Sequence, residues 1–248
     1  MLRRLKRATE VVAQIQERIR AERLGPGASL GTLKDLCRAY EVSLPTMRNA
    51  LYLLQQDGTV VVRAGQQGGV FVARPEARPV VRAFRQLLVN DQVPLEDVLE
   101  LRGVIEGEAA RLAALRARPA EVAALEASVD HLRATVGELQ SPFLEENLRF
   151  HGLVARASRN RLLYRMFQCV ESLLYESTRV RYPIAVQEAV VAAHAKIVEA
   201  IAARDGARAR GRMLAHLEAF ARYRLEVAEA QPWPPEEIPD TPWIDTAP

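Results

Sequence analysis

The chain has 248 residues, 49% of them hydrophobic and 26% charged, which is an ordinary composition for a globular protein long enough for two domains. No apolar run approaches the roughly 18 residues of a membrane span. The basic stretch Met1–Arg7 is not followed by an apolar signal-peptide core, and Cys37 and Cys169 lie too far apart to match a metal or redox spacing. The net charge of +3 hides an asymmetry: residues 1–80 hold 13 Lys and Arg against 7 Asp and Glu, a bias that suits a polyanionic partner. Buried free thiols in a cytoplasmic protein are the expectation.

Residues 8–22 place Val11, Val12, Ile15 and Ile19 on one face, the pattern of an amphipathic helix, with Arg18, Arg20 and Arg23 along or beyond its polar side. Leu24–Gly27 breaks it. Thr32 then caps a short second helix holding Leu33, Leu36 and Cys37. In the third helix Ser43 is the N-cap, Pro45 falls in the first turn, Met47, Leu51 and Leu54 form an apolar stripe, and Asp57-Gly58 stops the run. Its first turns carry Thr46, Arg48 and Asn49, which can donate to phosphates and base edges. An anchored helix with such groups at its N-terminal end suits the DNA major groove. Two β-rich runs, Val60–Val62 and Val70–Val72, flank the Gly-rich stretch Ala64–Gly69 and predict a hairpin. Three helices followed by a hairpin is the order of a winged helix-turn-helix. In that frame Lys34 and Arg48 neutralise phosphates, Arg48 can also donate to guanine, and Gln67 with Gly68 at the wing tip reaches the minor groove.

Residues 1–74 therefore form the first expected domain, and 75–80, in the Pro- and Arg-containing run 73–80, a linker. Beyond it no strand pattern occurs. Amphipathic stretches at about 80–89, 95–117, 119–137, 142–157, 160–182, 185–204 and 207–229 predict an all-α bundle over 81–229. Its Ala-rich faces, as in EGEAARLAALRA, allow close helix packing. The fold class is thus mostly α: an N-terminal winged helix-turn-helix and a C-terminal helical bundle. Residues 230–248 carry six of the 14 prolines, both tryptophans (Trp233 and Trp243) and four acids with no base. They predict an irregular tail whose tryptophans pack on the same or a neighbouring subunit.

Three of the four histidines are related by geometry. His194 and His216 flank the predicted turn at Asp205-Gly206 at nearly equal distances, so an antiparallel hairpin brings them to one height. Asn147 and His151, at i and i+4, share a face of another helix. Three imidazoles and a carboxamide can converge inside the bundle, a donor set suited to Zn, Ni, Fe or Mn, with water completing the shell. His131 has no such partner and is expected at the surface.

The run from Leu24 to Pro75 resembles the DNA-binding domain of GntR-type bacterial regulators. It matches at Pro26-Gly27, Leu30, Leu36, Val42-Ser43, Pro45-Thr46, Arg48, Ala50-Leu51, Gly58 and Gly69–Val72. Departures are Leu33 for an acid, Leu44 for an Arg that often contacts DNA, Asn49 for Glu, and Lys34 at a position that is often Arg. Residues 95–222 resemble the effector domain of the FadR subgroup, through Leu101-Arg102 with Glu106, Phe150-His151, Ala157–Asn160, His194 with Ile197 and Ala200-Ile201, and His216. The resemblance implies a divalent metal held by His151, His194 and His216, with Asn147 standing where the family has an Asp. It also implies a small-carboxylate effector bound at Arg102 and Asn160. Against this, Arg102 can simply pair with Glu106 one helical turn away.

The leading expectation is a ligand-responsive transcriptional regulator, acting as a repressor and binding a palindromic operator as a homodimer. A metal-dependent hydrolase or lyase at the three-His site is a competing class; Glu145 and Glu146 offer no convincing base, so no catalytic residue is assigned. The third class is a ligand-independent DNA binder with a degenerate effector domain, which the Asn147 replacement favours.

Overall fold

The computed structural model describes residues 2–65, 68–74, 78–137, 140–178 and 182–226. The chain divides into two compact units, Met1–Pro79 and Val80–Pro248. The tail 230–248 and Gln67 lie outside the described residues.

The first unit runs α1 (Leu2–Ala21), β1 (Ser29–Gly31), α2 (Leu33–Ala39), α3 (Leu44–Gln56), β2 (Val60–Arg63) and β3 (Gly69–Val72). Helix α1 starts six residues before the predicted one. Its apolar face buries Ala8, Val11 and Ile15 against Leu36 of α2, Met47, Ala50, Leu51 and Leu54 of α3, and Val60, Val70 and Val72 of the sheet. The predicted hairpin is present and antiparallel, pairing Val60 with Val72 and Val62 with Val70. Strand β1, which the sequence reading omitted, pairs with β3 and completes a sheet of order β1-β3-β2. Only Leu30 of β1 is buried, so this three-residue strand has no periodicity to read. Thr32 caps α2 as expected: its hydroxyl accepts from the Asp35 N–H, and the Asp35 carboxylate accepts from the Thr32 N–H, a reciprocal capping box.

The second unit is entirely helical among its described residues. It comprises α4 (Arg78–Asn90), α5 (Leu95–Arg116), α6 (Pro119–Ala134), α7 (Gln140–Ala157), α8 (Arg161–Thr178), α9 (Ile184–Ala202) and α10 (Gly206–Glu226). Helix α4 begins at Arg78, inside the predicted linker. Helix α5 packs on α7, α8, α9 and α10, and its alanines 109, 110, 113 and 114 are fully buried. The small side chains permit this approach: a Cβ on Gly107 would lie 3.0 Å from Leu214 of α10. Around this spine pack Leu125, Leu132, Phe150, Ile197, Ile201 and Met213. The turn between α9 and α10 is built as predicted, Asp205 accepting from the Arg208 N–H at 2.9 Å.

A candidate nucleic-acid interface and a candidate metal centre

At the N-terminal end of α3, Ser43 has the extended backbone of an N-cap, but its side chain makes no capping bond. Its hydroxyl instead pairs with the Thr46 hydroxyl at 2.9 Å. Thr46 is only 6% exposed, so that bond and the core hold it, and it is withdrawn from the exposed face. Arg48 and Asn49 stay exposed on α3, as do Ser43 beside them and Lys34 on α2. Gly68 closes the wing turn by donating to the Gly65 carbonyl at 2.9 Å. A Cβ there would sit 2.5 Å from the Arg63 carbonyl oxygen, so only glycine fits. Sequence reasoning missed Arg63, whose guanidinium lies 4.8 Å over the Phe71 ring and is thereby fixed at the base of the wing.

In the second unit α7, α9 and α10 bring His151, His194 and His216 together, all buried. The His216 Nε2 lies 3.2 Å from the His194 Nε2 and 3.3 Å from the His151 Nε2. These separations match nitrogens that share one ion, for which metal–nitrogen bonds of about 2.1 Å place tetrahedral ligands about 3.4 Å apart. Phe150 stacks on the His194 ring at 3.8 Å and helps fix its plane. His131 is exposed, as expected.

The tautomers suit a metal. The His151 Nδ1–H donates to the buried Glu106 carboxylate, which leaves Nε2 with its lone pair facing the cluster. Burial alone would raise the Glu106 carboxyl, but His151 and Arg102 outweigh it and hold it at about 2. Burial, with the neighbouring imidazoles and Arg102, pushes His216 down to about 3 and His194 well below its usual range. Both imidazoles are therefore neutral at pH 7, the form that binds metal.

Arg102, on α5, is buried. Its Nε donates to Glu106 at 2.6 Å, a second nitrogen lies 3.6 Å from Glu171 of α8, and its guanidinium sits 5.1 Å over the Phe220 ring. The Arg102–Glu106 ion pair is present, and it is enclosed rather than solvated. Burial pushes the Glu171 carboxyl up; Arg102 opposes that shift and Glu106 adds to it. Among the described residues neither Glu171 oxygen has a hydrogen-bond partner. In the sequence Glu106 is legible only as the partner of Arg102, and nothing local singles out Glu171.

Asn147 is half-buried on α7, one turn before His151. Asn160 sits at the start of α8, where its side-chain oxygen accepts from the Leu163 N–H at 3.1 Å. That bond commits it to capping. Glu146 accepts from the Ser128 hydroxyl at 3.0 Å and pairs with Arg149. Cys169 is buried and Cys37 half-buried, and both thiols are free.

Comparison with known proteins covers both units. The family model for bacterial regulatory proteins of the gntR family matches residues 7–72, and that for the FCD domain matches 97–219. The HTH-type transcriptional regulator LutR of Bacillus subtilis (strain 168) is 29% identical over 203 residues, covering 78% of this chain and 90% of LutR. The Glc operon transcriptional activator of Escherichia coli (strain K12) is 27% identical over 173 residues, covering 68% of this chain and 67% of its own. A solved structure of a Streptococcus agalactiae GntR protein covers 87% of this chain and 99% of its own, with a TM-score of 0.66 at 23% identity. This last likeness speaks to the fold.

Proposed function

Because the chain belongs to the GntR family of bacterial regulatory proteins and carries an FCD domain, we propose that it is a FadR-subgroup repressor whose helical domain senses a small carboxylate at a metal centre. It is a DNA-binding transcriptional regulator, as its relatives are. Its DNA-reading residues are Arg48 and Asn49 of α3, supported by Lys34, Ser43 and the wing around Gly68. It acts in the cytoplasm as a homodimer on a pseudo-palindromic operator, since two-fold protein symmetry matches two half-sites.

One observation carries the sensing half: three buried imidazole nitrogens converge while a carboxylate orients one of them from behind. His151, His194 and His216 hold the divalent ion, whether Zn, Ni, Mn or Fe, and Asn147 offers a neutral amide oxygen. A divalent ion held there would supply Lewis-acid chemistry suited to a carboxylate. Arg102 supplies positive charge nearby and is kept in place by Glu106. The replaced acid at Asn147 favours a second reading, a DNA binder with a degenerate effector domain.

Elemental analysis of the purified protein and mobility shifts on the DNA upstream of its own gene test this reading. About one equivalent of metal per chain, and a retarded complex released by a small carboxylate in a His216-dependent way, are the expected results. Retarded DNA with no metal and no response to any carboxylate would establish the second reading. No retardation at low salt would defeat both.

A further inference from the structure

A groove between α9 and α10, with a volume of about 390 Å³, lies on the outer side of His216. It is polarised along its length. Lys196 and Arg212, both exposed, line it at equal distances from the α9–α10 turn, one on each helix. Tyr182, Phe220 and Tyr223 line the far end, with their rings 5.6–6.5 Å apart. The wall between is alanine and valine, and no acidic side chain lines it among the described residues. From the two cations to Tyr223 the groove runs about 16 Å at 1.5 Å per helical residue. A groove between α5 and α10 is lined by Glu96, Glu100 and Glu218 against one cation, Arg210, and suits an anion less well.

We propose that the α9–α10 groove is a second effector site, for a linear amphipathic monocarboxylate: the carboxylate sits at Lys196 and Arg212, and the alkyl chain lies against the aromatic end. Two cations at one height, one on each helix of a mostly apolar channel, give the ligand its direction. An elongated channel of aliphatic walls takes an extended chain rather than a compact hydroxy acid. His216 is in the groove wall and also in the three-imidazole cluster, so an occupant touches the back of a residue that the first site uses. The two sites remain chemically distinct, because the groove needs neither the metal nor Arg102.

Calorimetric titration of full-length, chelator-treated protein with hexanoate, octanoate and decanoate tests this. Affinity is expected to rise about fourfold per added methylene, hence about fifteenfold from octanoate to decanoate, while acetate and decylammonium fail to bind. Ala193→Trp, which fills the groove, is expected to weaken decanoate at least tenfold. The Lys196→Ala/Arg212→Ala pair is expected to erase the preference for decanoate over decanol. A flat chain-length series overturns the proposal, as does equal binding of decylammonium. Loss of decanoate binding in Arg102→Lys but not in Ala193→Trp places the carboxylate at the histidine cluster and also overturns it. If Ala193→Trp dissociates the oligomer in sedimentation, the groove is an interface between copies; if deleting residues 230–248 opens it to decanoate, the chain's own tail is its occupant; either result overturns it. Because the protein is metal-free throughout, failure of the metal-sensing reading leaves these measurements unaffected.

Discussion

Replacing Glu106 by alanine strikes the point where two sets of interactions meet. Glu106 accepts from Arg102 at 2.6 Å and from His151, and it is about 1% exposed. Removing it leaves a buried guanidinium whose remaining carboxylate, Glu171, lies 3.6 Å away. Breaking a buried ion pair from one side costs about 3–5 kcal/mol, because the surviving charge stays desolvated. For a domain of this size each kcal/mol lowers Tm by about 2–4 °C. A drop of roughly 6–20 °C is therefore expected in thermal unfolding followed by circular dichroism. Glu106→Gln keeps an acceptor and the side-chain volume, so it should fall by less. Arg102→Met/Glu106→Leu/Glu171→Leu, which removes all three buried charges, should recover much of the loss. The variant that folds best, Glu106→Gln, should also bind metal about 10–100-fold more weakly, because His151 loses the anion that orients it. An unchanged Tm for Glu106→Ala, or a triple variant as unstable as the single one, would refute the argument that buried charge is the cost.

Acid should destabilise the metal-free protein. His194 and His216 are depressed in the folded state, so below about pH 6.5 the unfolded chain takes up protons that the folded one refuses. Stability should be flat above pH 7 and fall below it by up to about 1.4 kcal/mol per pH unit per histidine, as measured by urea unfolding; a stability rising from pH 7 to 5.5 would contradict the burial of neutral imidazoles. Asn147→Asp restores an anionic donor one turn from His151 and should tighten zinc binding about tenfold or more in competition with a chromophoric chelator; unchanged affinity would remove residue 147 from the site. Arg48→Ala should weaken operator binding by about 1–3 kcal/mol in mobility shifts if it reads guanine; a uniform loss across sequences, with the salt slope reduced by about one, would assign it to phosphate instead.

What the sequence made legible is what depends on local spacing. The helix stripes, the Thr32 cap and the hairpin all rest on contacts within a few residues. The convergence of His194 and His216 was readable for the same reason: the turn at Asp205-Gly206 fixes their heights, and their Nε2 atoms do lie 3.2 Å apart. Strand β1 was not readable, because three residues held by pairing with Phe71 and Val70 carry no pattern of their own. Thr46 was misjudged at close range: its i, i+3 bond to Ser43 competes with the outward role its position suggests. The bond from His151 to Glu106 spans 45 residues, and Glu171 joins from a third helix. Neither has a local signature, because each follows from how whole helices pack.

That long-range network bears on how a signal can leave the site. Helix α5 carries Arg102 and Glu106, and through them it meets His151 of α7 and Glu171 of α8. A charge added among the imidazoles changes the balance between one guanidinium and two carboxylates, of which Glu171 has no hydrogen bond among the described residues. In the structure Arg102 bonds Glu106 at 2.6 Å and lies 3.6 Å from Glu171, so a shift of the guanidinium toward Glu171 is the rearrangement that such a charge would drive. An effector acts only through its differential affinity for such states. Glu171→Gln removes the charge competing for Arg102 while keeping the shape. It should stabilise the effector-free protein and shrink the effect of a bound carboxylate on DNA affinity. If operator release by carboxylate is the same in Glu171→Gln as in the unaltered protein, the two-arrangement account of α5 is wrong even where the metal centre is right.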